Sequence, residues 1–150
     1  MKTIKYISLI LILLSISCCV NQKQKDEKQI KATVQNFWKS VKNNDLQAYN
    51  GLIYESENFP GVTAGDLYFL HKHYKALNIQ ERLKGEIKIK DTIGLSPDIK
   101  MKYVQYTFKK KGDSNNIKKP LTITLIFYKP IGFDKISDPV ILDNHIGWDK

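Results

Sequence analysis

The sequence predicts an α+β domain in which N-terminal helices lie on one face of a single curved antiparallel sheet. Two observations carry this prediction. Apolar residues recur at helical spacing as far as Leu77, and beyond Asn78 the period changes to two. Helices and strands are thus segregated along the chain, as helices packed on an antiparallel sheet require.

The first helix is carried by "QIKATVQNFWKSVKNN". Ile30, Val34, Phe37, Trp38 and Val41 form one apolar stripe, with Lys31, Lys39 and Lys42 off it. Asn43 and Asn44 suit its end, and Asp45 is placed to cap a second, short helix, "LQAYNGLI", that presents Leu46, Tyr49 and Leu52 or Ile53. After a loop broken by Pro60 and Gly61, Thr63 is expected to cap a third helix from Ala64 to Leu77, with Asp66 completing a capping box. Its stripe is Leu67, Leu70, Tyr74 and Leu77.

In "RLKGEIKIK" Ile87 and Ile89 alternate with charged residues, which predicts a strand. In "DIKMKYVQYTFKKK" the apolar set shifts phase between Tyr103 and Val104, which predicts a β-bulge. "GDSNN" is a hairpin connection, and "PLTITLIFYK" alternates Leu121, Ile123, Leu125 and Phe127 against Thr122, Thr124, Ile126 and Tyr128. An edge strand is expected over Val140 to Leu142.

Ahead of this domain, Lys2 and Lys5 precede an apolar run from Ile7 to Ile16, then Ser17, Cys18 and Cys19. A membrane span needs about 20 apolar residues. This run is shorter and has the layout of a secretory signal. Its end resembles the lipobox of bacterial lipoproteins, in which a cysteine after the cut receives a lipid. Ser17 favours Cys18 as that residue, and Ile16 favours Cys19. A disulfide between neighbours closes no useful loop, and two cysteines without nearby histidines do not complete a zinc shell. The chain therefore divides into a signal peptide (1–17), a polar flexible tether (18–28) and a folded domain (29–150). "KDE", Lys25 to Glu27, resembles the signal that sends some Gram-negative lipoproteins to the outer surface. The expected location is the cell envelope, on a membrane that includes the outer membrane as a candidate.

After cleavage the chain keeps 22 basic and 15 acidic residues. Of the 24 basic residues only Arg82 is arginine. Phosphate forks and base readout favour arginine, so this composition argues against a nucleic-acid partner. The lysine runs at Lys109 to Lys111 and Lys118 to Lys119 flank the hairpin loop and read as solvated charge.

The phrase "VQNFWKSVKNNDLQAYNGLI" resembles the first helix pair of the nuclear-transport-factor-2-like superfamily, the cystatin-like cone. Element order agrees from Gln29 to Leu142. The resemblance implies a cavity between helix and sheet, used by members as an active site, as a ligand pocket or not at all, and an outer sheet face often used for dimerisation. Small lipoproteins of unknown function with this fold are a known group.

Function has to come from the site rather than the fold. Trp38, His71, Tyr74 and Tyr103 are the candidate cavity residues, and Tyr106, Phe108, Ile126 and Tyr128 are candidates for an interface if their strands pair as a hairpin. His71 and His73 lie about 200° apart on a helix and do not face one pocket. His71 is the better cavity candidate, against a structural role in a half-buried position. His145 with Asp143 and Asp149 reads as a solvated tail rather than a metal cluster. No nucleophile elbow, phosphate loop, dinucleotide fingerprint or His-Glu-x-x-His spacing is present, so neither cofactor nor metal is expected. The leading expectation is a membrane-anchored, non-catalytic binding module whose partner is a protein, a second copy included, on the sheet, or a ligand in the cavity. The alternatives are a ketosteroid-isomerase-like cavity enzyme or small-molecule carrier, and a lipoprotein immunity factor.

Overall fold

Ile30, Val34, Phe37, Trp38 and Val41 are all completely buried, so the predicted stripe is the face with which the first helix enters the core. This is seen in a computed structural model that describes residues 2–94, 96–108 and 120–142, and of residues 2–21 only the helical backbone. The first helix, α1, spans Lys2–Asn43. It therefore includes the segment 18–28 expected as a tether. Gln, Lys and Glu are good helix formers, and no proline or glycine interrupts them, so the lack of an apolar period there does not prevent a helix. Asp26 anchors this part, its carboxylate 3.5 Å from the Lys129 ammonium. Among the described residues no helix is long and apolar enough to cross a membrane.

Asn44 ends α1 in the left-handed region at φ 52°. The Asp45 side chain then accepts the Ala48 N–H at 2.9 Å and caps α2, Leu46–Leu52, as predicted. The third helix, α3, spans Pro60–His73 and departs from expectation at its start. Pro60 occupies the first turn, where a missing N–H costs nothing, so the residue read as a breaker begins the helix. Thr63 lies inside it, its hydroxyl donating to the Pro60 carbonyl at 3.2 Å. Asp66 is consequently not part of a capping box. A fourth helix, α4, Ile79–Lys84, follows Asn78 and had no counterpart in the sequence reading. It buries Ile79 and places the Arg82 guanidinium 4.5 Å from the centre of the Phe108 ring.

Four strands form one antiparallel sheet in the order β1-β2-β3-β4, with β1 at Lys90–Ile93, β2 at Lys100–Phe108, β3 at Leu121–Tyr128 and β4 at Asp138–Leu142. The domain is α+β. The alternating segment around Ile87 and Ile89 precedes β1 rather than forming it, although Ile87 is buried. The predicted bulge is absent. Pairing of β2 with β3 runs unbroken from Met101↔Tyr128 to Phe108↔Leu121, through Tyr103↔Ile126 and Val104↔Leu125. The sequence shows two apolar phases because both faces of β2 carry apolar residues, not because the chain slips. The strand β3 alternates buried and half-buried residues along its whole length, as predicted.

The helices are also tied to the segment between β3 and β4. The Thr33 hydroxyl donates to the Phe133 carbonyl at 2.8 Å. Ile53 and Ile136 form an isolated parallel bridge, with the Ile136 N–H donating to Leu52 O at 2.8 Å and the Tyr54 N–H to Ile136 O at 2.9 Å. The hairpin segment 109–119, with its lysine runs, and the tail 143–150, with His145, lie outside the described residues.

Candidate functional site

One face of the sheet is filled by the chain's own side chains. Val104, Tyr106 and Phe108 of β2 and Leu121, Ile123, Leu125 and Phe127 of β3 are buried, and Phe37, Trp38 and Tyr49 belong to the same core. Trp38 meets Phe37 at 5.1 Å and 80° and Tyr106 at 5.4 Å and 86°, edge-to-face contacts that favour ring quadrupoles. The Trp38 indole N–H faces the Tyr106 hydroxyl, and the pair stops short of hydrogen-bond geometry. Burial pushes that hydroxyl above the ordinary tyrosine value, opposed by the indole and by the Arg82 charge.

The opposite face follows from the same register. Period two and continuous pairing place Met101, Tyr103, Ile126 and Tyr128 together on it, joined through Thr124 by Val140 of β4. All five apolar side chains are half-buried. The Lys90 ammonium lies 5.8 Å from the centre of the Tyr103 ring, at the β1 side of this row. The expected interface set is therefore corrected. Ile126 and Tyr128 lie on the outer face, whereas Tyr106 and Phe108, at 9% and 3% exposure, belong to the core.

The expected cavity set also separates. Trp38 is a core residue, and Tyr103 is on the outer face. His71 and Tyr74 do come together, lining a groove of about 600 Å³ where α1 and α3 end and α4 begins. The His71 Nδ1 is 2.9 Å from the Val41 carbonyl oxygen, and since a carbonyl only accepts, Nδ1 carries the proton. His71 thus donates a second hydrogen bond, beside that of the Asn44 N–H, to a carbonyl in the last turn of α1, from an exposed rather than half-buried position. Lys42, Lys72 and Lys75 line the same groove.

An electrostatically linked set, Asp66 of α3 with Tyr49 of α2 and Asp138 of β4, was missed. Burial, and secondly the charge of Asp138, push the Asp66 carboxyl up to about 6. Burial also raises Asp138. The Tyr49 hydroxyl is buried without a hydrogen-bond partner, and burial together with the Asp66 charge pushes it above the ordinary value. Assigning Asp66 to a helix cap hid this set. The sequence signal that was available is Pro60, which moves the helix start and leaves Asp66 nearly two turns inside. Among the described residues no group of three or more His, Cys, Asp and Glu is arranged to hold a metal ion.

Compared with family models, with curated proteins and with solved structures, the chain matches none.

Proposed function

We propose that this chain is an exported lipoprotein, held at an envelope membrane by a lipid on Cys18 or Cys19, whose cystatin-like cone domain is a non-catalytic protein-binding module. Its working surface is the outer face of the sheet, and its partner is another protein chain, a second copy included. One observation carries the reading: the inner face is occupied by the domain's own rings, while the outer face keeps Met101, Tyr103, Ile126, Tyr128 and Val140 half-exposed in one row. Aromatic and Met side chains are the residue types enriched in interface cores. The leader pattern supports the anchor.

The test replaces Ile126 and Tyr128 singly with Lys and measures association by sedimentation velocity and by cross-linking at the membrane. Loss of association with an unchanged melting temperature supports the sheet surface. Unchanged association in both variants removes it. Replacing Cys18 and Cys19 together with Ser is expected to release the protein from membranes, and continued fractionation with membranes overturns the lipid anchor.

The alternative of a catalytic domain has one observation in its favour, the Asp66 carboxyl pushed up to about 6 beside the buried Tyr49 hydroxyl. That carboxyl changes protonation near neutral pH, as a general acid or base does. The pairing of His71 with Tyr103 has no support, because one lines the groove and the other lies on the outer sheet face.

A further inference from the structure

We infer that the groove between the ends of α1 and α3 is a binding site for a phosphate-bearing small molecule. This site is separate from the sheet face and does not depend on the reading of that face.

Three lysines, one from α1 and two from the end of α3 and the segment after it, line one concave surface. Lys42 comes from the last turn of α1, Lys72 from the last turn of α3, and Lys75 from the segment that follows. Among the described residues lining the groove there is no carboxylate. Basic residues near helix ends have an ordinary explanation, since each interacts favourably with the negative end of a helix dipole by about 0.3–1 kcal/mol. That explanation fits Lys42 and Lys72, each in the last turn of its helix. It fits Lys75 less well, because α3 ends at His73. The Val41 carbonyl at the α1 end already accepts from the Asn44 N–H and from His71 Nδ1, which leaves Lys42 and Lys75 less to do there.

The remaining walls narrow the ligand class. Asn78 and Gln80 provide amide groups that donate to phosphate or sugar oxygens, and Tyr74 and Ile79 provide an apolar side for a ring or an alkyl portion. A volume of about 600 Å³ lies within the range of small-molecule sites and exceeds the need of a bare anion. Lysine binds phosphate as a point charge without a fixed fork geometry, so three of them suit a dianion or a diphosphate better than a single planar carboxylate.

The experiment titrates the full-length chain with pyrophosphate and with adenosine monophosphate by calorimetry, and measures its flotation on phosphatidylglycerol and phosphatidylcholine vesicles. The comparison protein is the double variant Lys42→Ala, Lys75→Ala, and the control is Lys39→Ala, which changes the same helix outside the groove. Saturable binding of either soluble probe, weakened at least tenfold in the double variant, unchanged in the control and falling with added salt, supports the site and a soluble ligand. If neither soluble probe binds, but flotation on phosphatidylglycerol exceeds that on phosphatidylcholine and drops in the double variant alone, the phosphate is a lipid headgroup. No saturable binding of any probe, or equal binding by all three proteins, overturns the inference and leaves the lysines as helix-end charges. Melting curves of the three proteins guard the reading. If the double variant melts early, Lys42→Gln with Lys75→Gln replaces it.

Discussion

The two faces of the sheet are built from the same strands and the same residue types, yet they are buried to different degrees. On β3, Leu121, Ile123, Leu125 and Phe127 are all completely buried, while Thr122, Thr124, Ile126 and Tyr128 between them are half-buried. On β2 the inner side chains include Tyr106 and Phe108, and the outer ones include Met101 and Tyr103. Aromatic content alone therefore does not tell which face is the core. The difference comes from what stands opposite: the inner face meets the rings of α1, and the outer face meets no comparable set among the described residues. A tyrosine in the first setting is packed into the core, and a tyrosine in the second keeps part of its ring in solvent.

Substitutions should separate the two faces clearly. Tyr106→Ala removes a ring packed edge-to-face on Trp38 and is expected to cost about 3 kcal/mol, the range of large-to-small core changes, read as a lower midpoint in urea unfolding. A loss under 1 kcal/mol would mean that the inner face is not the tighter one. Asp66→Asn addresses the charge that Asp66 of α3 and Asp138 of β4 exert on each other. Because the folded-state carboxyl is raised from 3.8 to about 6, the folded protein holds this proton more tightly than the unfolded chain does. The stability it contributes is fully present below about pH 4 and is lost as pH rises through about 6. At pH 7 the variant should therefore be more stable than the parent, by about 1 kcal/mol after allowing for screening of a half-buried group, and its stability should vary less between pH 4 and 7. Thermal melts across that range check both signs, and a destabilised variant at pH 7 would show that the ionised carboxylate makes a favourable contact.

Asp45→Ala tests a local feature away from either face. Loss of the side-chain bond to the Ala48 N–H should cost about 1 kcal/mol in chemical unfolding. Tyr128→Lys on the outer face should have the smallest effect on stability, within about 0.5 kcal/mol, together with the loss of association proposed above. If this variant instead unfolds like Tyr106→Ala, the outer face is covered in the native protein and the contrast fails.

Much of the fold was legible in local pattern. The stripe of α1, the Asp45 cap and the alternation of β3 depend on neighbours a few residues apart, and each was read correctly. The start of α3 was misplaced because Pro60 was read as a breaker, although proline is well suited to a first helical turn. The phase of β2 was not legible at all, since apolar residues occur at both parities around Tyr103 and only pairing with β3 chooses between them. The candidate sites suffered most. Of the four cavity candidates only His71 and Tyr74 share a site, and of the four interface candidates two belong to the core.

The sequence by itself determined the segregation of helices from strands and the Asn44 turn and Asp45 cap between the first two helices. These rest on interactions over a turn or on the alternation of a single strand, so the residues carrying them lie close together in the chain. Tertiary structure decided which face of β2 is buried, that Lys42, His71, Lys72 and Lys75 meet in one groove, and that Asp66 stands near Asp138 and Tyr49. Those outcomes join residues far apart in sequence. Their free energies depend on burial and on charges brought together only when the helices close over the sheet.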